Sequence, residues 1–510
     1  MNRKIWKALG IAVCMLALAA PRAMAKTYEV GTEDKFAEAV QEISKKSSDV
    51  ENEIVLDEDI ILGGDTTYTL KRGRTTIKGE GHKITIESNA GIKVTGEETV
   101  LNLGANGYDK KLTIDGNTRA AFITVSDGAT ANMYGNVTLQ NRKPTGNACV
   151  AIMGSKSVFN MRGGVIEKCS RAVSADSGAT FHMFDGEIKD CRVGGNGVIL
   201  VNGGSGFIMD GGTISGCKAD AGGGLYADHS TITIKGGTIS GCKVRMGTGG
   251  GLCATNQSTI TIEGGTISGC EAGAGGGLCA DHSTVTIKGG TISECEAAIK
   301  NGGGLYATNS SKITISGGTI SGCEGKLGGG LYADNSTINI SGGTISGCDG
   351  RWGGGLYANN STVTISGGAI SGCEAGAGGG LYVVGLTLNI KGGTISECMV
   401  SDTGKGGGLF ADQSTLTISG GTIKGNKAAY GGGVALRDSR VKEEPITSWT
   451  VVDNEAYKTD SGTGYIGGGI YLENGSMDVS DGSNRIYNNT ADGHGADICL
   501  TDDTSSIKLP

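Results

Sequence analysis

GGTISGCEAGAGGGLCADHSTVTI, residues 264–287, returns with small edits from about residue 211 to residue 425. Its strand-like pieces alternate: in STITIKGGTIS, residues 230–240, Ile232, Ile234 and Ile239 are interleaved with Thr231, Thr233, Thr238 and Ser240. β-Branched residues at period two, broken by glycine pairs, predict short strands joined by tight turns. Three such strands, of the GLYA, TITI and TIS types, share a unit of 25 residues with no helical stretch, which is too short for strand–helix–strand units. A coil that returns to its start one rung higher meets both constraints.

The period is set by the cysteines. Those closing ISGC or ISEC are Cys217, Cys242, Cys270, Cys295, Cys323, Cys348, Cys373 and Cys398, at intervals of 25, 28, 25, 28, 25, 25 and 25 residues. The frame continues to Asn426, Asn454 and Asn489, and looser copies end at Cys169 and Cys191, so the regular repeat covers residues 160–500. Stacked rungs place equivalent strands ~4.8 Å apart in parallel and align their Ile, Val and Leu into interior files. The predicted fold is all-β, a parallel β-helix of roughly 17 to 19 coils and on the order of 80 to 90 Å long.

Length alone would divide 510 residues into about three domains, but repeat proteins grow by adding units. The 94 glycines suggest disorder only until the 37% of hydrophobic residues are seen to recur in register, which calls for a packed core. Residues 1–25 combine a basic start, an apolar run and a small-x-small end at Ala23 to Ala25, the pattern of a secretory signal, with Cys14 an ordinary member of it. Export is therefore expected, to the medium or the cell surface, with a mature start near Lys26. Loss of Arg3, Lys4, Lys7 and Arg22 and no acid moves the formal charge from −8 to −12. An acidic chain without a basic run argues against nucleic-acid or anionic-membrane partners.

An exposed core and unpaired strands at the rod's ends need covering. TEDKFAEAVQEISKK, residues 32–46, predicts a capping helix that starts at Thr32 or Asp34 and turns Phe36, Ala39, Val40 and Ile43 to one face. The organisation read from sequence is thus a signal at 1–25, a cap at 26–53, the β-helix at 54–500 and a closing tail at 501–510.

GGTIKGNKAAYGGGVAL, residues 420–436, and RIYNNTADGHGADI, residues 485–498, resemble right-handed β-helix proteins of the pectin-lyase-like superfamily. The GGG-plus-aliphatic phrase is most similar to repeats of autotransporter passengers and chlamydial polymorphic membrane proteins. The resemblance implies a right-handed coil and, by analogy, an adhesin-like surface role. It departs from those proteins in showing neither an outer-membrane barrel pattern nor a cell-wall sorting motif, which leaves anchoring open. In the family's structural frame, the cysteine position matches the turn where Asn side chains stack, as Asn426, Asn454 and Asn489 do here directly.

Several files are candidates for function. The cysteine file is read as a packing ladder of small buried thiols, with rung-to-rung disulfides strained by parallel Cβ vectors and metal binding disfavoured because the cysteines form a row. Cys253 and Cys279 replace the Tyr of GGGLY in adjacent copies and are the best disulfide candidates in an exported chain. Tyr226, Tyr306, Tyr332, Tyr357, Tyr382, Phe410 and Tyr471 share one position. With Leu225 and Ala227 inward, they are expected to point outward, either as an exposed row for a glycan or protein partner or as rings stacked on one another. Turns between Cys and GGG vary from four residues in EAGA to twelve in EAYKTDSGTGYI, residues 455–466, and Trp352 of DGRW is expected to be exposed there. Variable turns on a rigid scaffold are places for recognition.

Thr231/Thr233, Thr259/Thr261, Thr284/Thr286, Thr362/Thr364 and Thr415/Thr417 form T-x-T pairs similar to those of ice-binding solenoids, interrupted by Lys312, Asn339 and Asn389. Polysaccharide lyases and hydrolases of the resembled superfamily need clustered carboxylates. Here the outward strand positions are mostly Thr, Ser, Lys and Asn, and GHG at 493–495 stands where other copies have GGG. The favoured reading is a non-catalytic binding rod without cofactor or metal, with a polysaccharide-active enzyme and a structural spacer as rivals.

Overall fold

A computed structural model describes residues 25–45, 50–142, 147–385, 387–401, 403–443, 449–457, 466–478, 485–501 and 504–508. The expected signal segment and residues 458–465 of the longest turn lie outside the described residues. The chain winds as a right-handed parallel solenoid of about 17 turns with coils of about 26 residues. Among the described residues the strand pairings are parallel and join a residue to its counterpart one coil away, as Leu331, Tyr332 and Ala333 pair with Leu356, Tyr357 and Ala358.

One regular coil shows how sequence makes shape. Leu331–Asp334 lies in a 17-stranded sheet that holds the aromatic position. Thr337–Ile340 and Thr344–Ser346 belong to a second, bent sheet, folded at Gly342 and Gly343. Asp349–Trp352 lies in a third sheet of 11 short strands. The sequence predicts three strands per coil; the fourth is this short one after the cysteine, hidden because two to four residues do not display an alternation.

Alternation buries Leu331, Ile338, Ile340 and Ile345, each no more than 2% exposed. Such a side chain contributes roughly 1.5–3 kcal/mol on leaving water, so each added coil extends one continuous core. Thr337 is exposed and Asn339 half-buried, so the outer row is polar, as expected of a half-solvated sheet.

The amphipathic helix spans Glu33–Ile43, with Thr32 as N-cap accepting from the Lys35 N–H at 3.3 Å. Phe36, Ala39, Val40 and Ile43 are buried, and Phe36 meets Tyr68 edge-on at 5.3 Å. The parallel pairing extends beyond the sequence-drawn limits of 54 and 500: Lys26–Val30 pairs with Glu51–Leu56, and Ser506–Lys508 pairs with Ser476–Asp478.

Candidate functional site

The cysteines form an interior file at the corner after the bent sheet. Cys169 through Cys398 are buried free thiols. Each reaches the carbonyl two residues back and one in the preceding coil, as the Cys373 thiol does with Ser371 O at 3.4 Å and Ile345 O at 3.9 Å. It also accepts the backbone N–H of the preceding rung, as Cys217 does from Cys191. Asparagine performs the same roles with better donors. Asn454 Nδ2 donates to Val452 O and Ile423 O at 3.0 Å and to Asn489 Oδ1 at 2.9 Å, while its Oδ1 accepts from the Asn426 N–H at 3.0 Å. The file ends on the Asp497 carboxylate, which accepts from Asn489 Nδ2 at 2.9 Å and has no amide to pass on. Thiol and amide are thus two chemistries for one slot.

Cys253 and Cys279 are register partners on adjacent rungs, as their spacing predicts. Both are buried free thiols, with Thr248 Oγ1 3.4 Å from the Cys253 sulfur, so the structure contains no bond between them. In-register parallel strands aim both Cβ atoms the same way, which opposes closure.

Of the two forms expected for the aromatic file, the structure has the stacked one. Tyr332, Tyr357, Tyr382, Phe410 and Tyr471 point away from the core, yet they are only 8%, 8%, 6%, 3% and 6% exposed; Tyr226 and Tyr306 are half-buried. The rung spacing is also a good stacking distance. Tyr306, Tyr332, Tyr357 and Tyr382 follow one another at 5.1, 5.5 and 5.3 Å between centroids, so each face is covered by its neighbour. Leu327, Ala377, Tyr430 and Ile466 from the turns before GGG pack against the row, and Tyr430 fills the gap where the file has Ala435. Burial pushes the Tyr382 phenol up to about 12. Trp352 is 38% exposed, as expected of its turn, but one face stacks on Tyr382 at 5.8 Å.

A concave feature with ligand-like chemistry lies elsewhere, in the less regular coils before residue 211. An open groove of about 600 Å³ runs along the fold of the bent sheet, lined by Tyr108, Tyr134, Asn136, Arg162, Phe184 and Asp185 among small residues. Tyr134, Arg162 and Phe184 follow the inward Met133, Met161 and Met183 on successive rungs, and Ala105 to Tyr108, an insertion after Gly104, form one wall. Phe184 is a fixed platform: the His182 ring stacks on it at 3.6 Å and the Arg162 guanidinium sits 4.7 Å from its centroid. His182 is itself held by Asp210 at 2.6 Å, and Lys235 sits 3.2 Å from the same carboxylate. Burial opposes ionisation of Asp210, but the hydrogen bonds from His182 and Lys235 hold it below the usual carboxylate range. Beside Arg162, Asn160 donates to Asn132 and Asn132 to Asn102, each at 2.9 Å.

These residues escape a reading based on the repeat, because they stand where the repeat is least faithful. The signal is present in NMYG, NMRG and HMFDG, residues 132–135, 160–163 and 182–186, where the regular copies read TIKGG, TISGG or TIEGG. Two aromatic residues and an arginine replace Lys, Ser or Glu at one position on three consecutive rungs.

A family model described as right handed beta helix region matches residues 223–387 and, overlapping, 278–509. Together the two matches span more than half of the 510 residues. The chain belongs to the right-handed β-helix family. No curated protein and no solved structure matches it. The resemblance to pectin-lyase-like β-helices agrees with the family and with the coil. This family contains both enzymes and non-catalytic members, so membership leaves the chemistry of this β-helix protein to its own side chains. The groove of residues 105–186 precedes the matched span. Among the described residues, no group of three or more His, Cys, Asp or Glu is placed to hold a metal ion, and no helix is long and apolar enough to cross a membrane.

Proposed function

We propose that this β-helix protein is an exported, adhesin-like rod that binds a glycan along the groove between Tyr108 and Phe184. The observation that supports this most is the groove itself: three aromatic rings, a guanidinium, two carboxamides and a carboxylate on a rigid sheet. Rings stack on the apolar faces of sugars, while Arg162 and Asp185 offer hydrogen bonds to hydroxyls. The groove spans four rungs, about 14 Å at the sheet spacing, which suits an oligosaccharide lying along the rod. The aromatic file, closed on itself, serves the scaffold, and the variable turns with Trp352 remain a secondary surface for a protein partner.

Among the described residues Asp185 is the one carboxylate in the groove lining, whereas glycoside hydrolysis ordinarily uses two; this favours binding over catalysis. A glycan array probed with the wild type and with Tyr134→Ala/Phe184→Ala tests the reading. Selective binding by the wild type, lost in the variant, supports it. A blank array, or binding untouched by the substitutions, refutes it. Release of unsaturated or reducing products from pectic or uronic polysaccharides would replace binding with catalysis.

A further inference from the structure

The corner slot filled by a thiol from Cys169 to Cys398 and by an amide from Asn426 to Asn489 is filled one rung earlier by an arginine. Leu139 pairs with Ile166 and Gln140 with Glu167, which sets Arg142 opposite Cys169. Arg142 is 2% exposed. Its Nε donates to Ala120 O at 3.0 Å, and its two terminal nitrogens donate to Ser170 Oγ and Arg119 O at 2.7 Å. None of the three acceptors is charged, and a guanidinium has five N–H groups, so two are left over. The four residues that follow, Lys143 to Gly146, bring no acid.

A buried cation faced by the Cys149 and Cys169 thiols but by no carboxylate among the described residues is costly, and here a second cation adds to the cost. Among the described residues Arg171 also donates to backbone carbonyls alone, Gly197 O at 3.2 Å and Asn196 O at 2.9 Å. Burial, and then the charge of Arg142, push it below its usual value.

Arg142 is the floor of an open groove of about 650 Å³, with Lys168 and Arg192 on its rim and Asn141 and Ser170 on its sides. Lys168 reaches Glu167 at 3.4 Å on its outer side. Among the described residues Asp190 is the one acid in the lining, and its carboxylate is directed over Gly216, where an added Cβ would lie 2.9 Å from Oδ1. The corner residue before the file is left-handed along the rod. Asn141, Lys168 and Asp190 hold it at φ 61°, 52° and 53°, where Gly216 and Gly241 stand in the next two coils and Glu294 and Glu397 stand later. Non-glycine residues in that conformation are uncommon, and here they put polar side chains around a buried cation.

We propose that this corner is an oxyanion site, with Arg142 at its floor and Lys168 and Arg192 closing over a sulfate or phosphate group. The planar fork of Arg142 can direct its two remaining N–H groups to two oxygens of one anion. The site lies outside the aromatic groove and does not depend on it.

Calorimetric titration of the full chain with sodium sulfate and with sodium phosphate, at an ionic strength fixed by sodium chloride, tests the proposal. One saturable site per chain is expected. Lys168→Gln and Arg192→Gln should each weaken it about tenfold, the loss of one charge-assisted hydrogen bond. Lys312→Gln, an equal charge change on a distant exposed strand position, should leave it unchanged. Parallel titrations with galactose 6-sulfate and galactose 6-phosphate then assign the source by the tighter of the two. Arg142→Gln should abolish binding, and should it fail to fold, the two rim variants still decide. The absence of saturable binding by either inorganic anion would overturn the site and leave Arg142 as the end of the ladder. Equal weakening by Lys312→Gln would also overturn it, as diffuse charge.

Discussion

The coils before residue 211 and those from 211 to 425 share one backbone path and spend their side chains differently. In the later coils the residue preceding the first strand is the third glycine of GGG, the corner is mostly glycine, and the position at the sheet's fold is Ser, Lys or Glu. In the earlier coils the same three places hold Phe122, Cys149, Ala172 and Val198; Asn141, Lys168 and Asp190; and Tyr134, Arg162 and Phe184. The uniform coils satisfy themselves: rings cover rings, thiols meet carbonyls, and threonines face water. The irregular coils line a groove with rings and leave a buried cation faced by no carboxylate among the described residues. Repetition maintains the rod, and departure from it makes the sites.

The sharpest way to break this comparison is to move a side chain between the two regions. A Cβ on Gly355 would lie 2.6 Å from Gly380 O and 2.7 Å from the Ile370 methyl. The first contact is backbone of the neighbouring rung, so relief requires the rungs to part. Gly355→Val should cost about 3 kcal/mol or more in a urea melt, although Val198 occupies the equivalent slot fully buried. A melt equal to wild type would show the two regions to be interchangeable.

The ladder gives a smaller contrast. Asn454→Ala leaves the Asn426 N–H without its acceptor and removes the donations to Ile423 O, Val452 O and Asn489 Oδ1, and should cost about 2–3 kcal/mol. Asn454→Cys should recover most of that, since a thiol serves the same slot in the preceding coils. Equal losses from both would sink the equivalence of thiol and amide.

A third pair separates the scaffold rings from the groove rings. Tyr357→Ala opens a gap in a continuous stack and should cost about 2 kcal/mol without changing glycan binding. Tyr134→Ala should shift stability by no more than about 0.5 kcal/mol while removing binding. Loss of binding in Tyr357→Ala alone would return the aromatic file to the role its spacing first suggested.

These contrasts also show what a sequence can disclose here. Coil length, interior files, the Cys-to-Asn slot and the face of the helix bearing Phe36 and Ile43 follow from periodicity, because one alternation is written many times. The burial of Tyr332 and Tyr357 does not follow from it: outward direction is a property of the strand, whereas exposure depends on a neighbour one coil away and on a turn residue such as Leu327 folding over. The groove was legible only as an irregularity. Tyr134, Arg162 and Phe184 lie 28 and 22 residues apart, and nothing in a single copy marks them as one surface.

Acid should expose the same division more gently. Glu33, Asp127 and Asp210 all precede residue 211 and all have carboxyls held below their usual range. Glu33 accepts from the Tyr68 hydroxyl and the Gly63 N–H, and Asp127 from the hydroxyls of Thr95 and Ser126. Asp210, against the effect of burial, is held by His182 and Lys235. A carboxyl with a lowered folded pKa binds fewer protons folded than unfolded. Its stabilisation is therefore full above the unfolded value of about 4 and fades as the pH falls through the folded value. The regular coils rest on backbone pairing and apolar files, which do not titrate in that window. Between pH 4 and pH 2, pepsin should thus cut first before residue 211, and Glu33→Gln should remove part of the pH dependence of that cutting. Cutting that begins instead between residues 211 and 425 would mean that the uniform coils, not the irregular ones, are the weaker part of the rod.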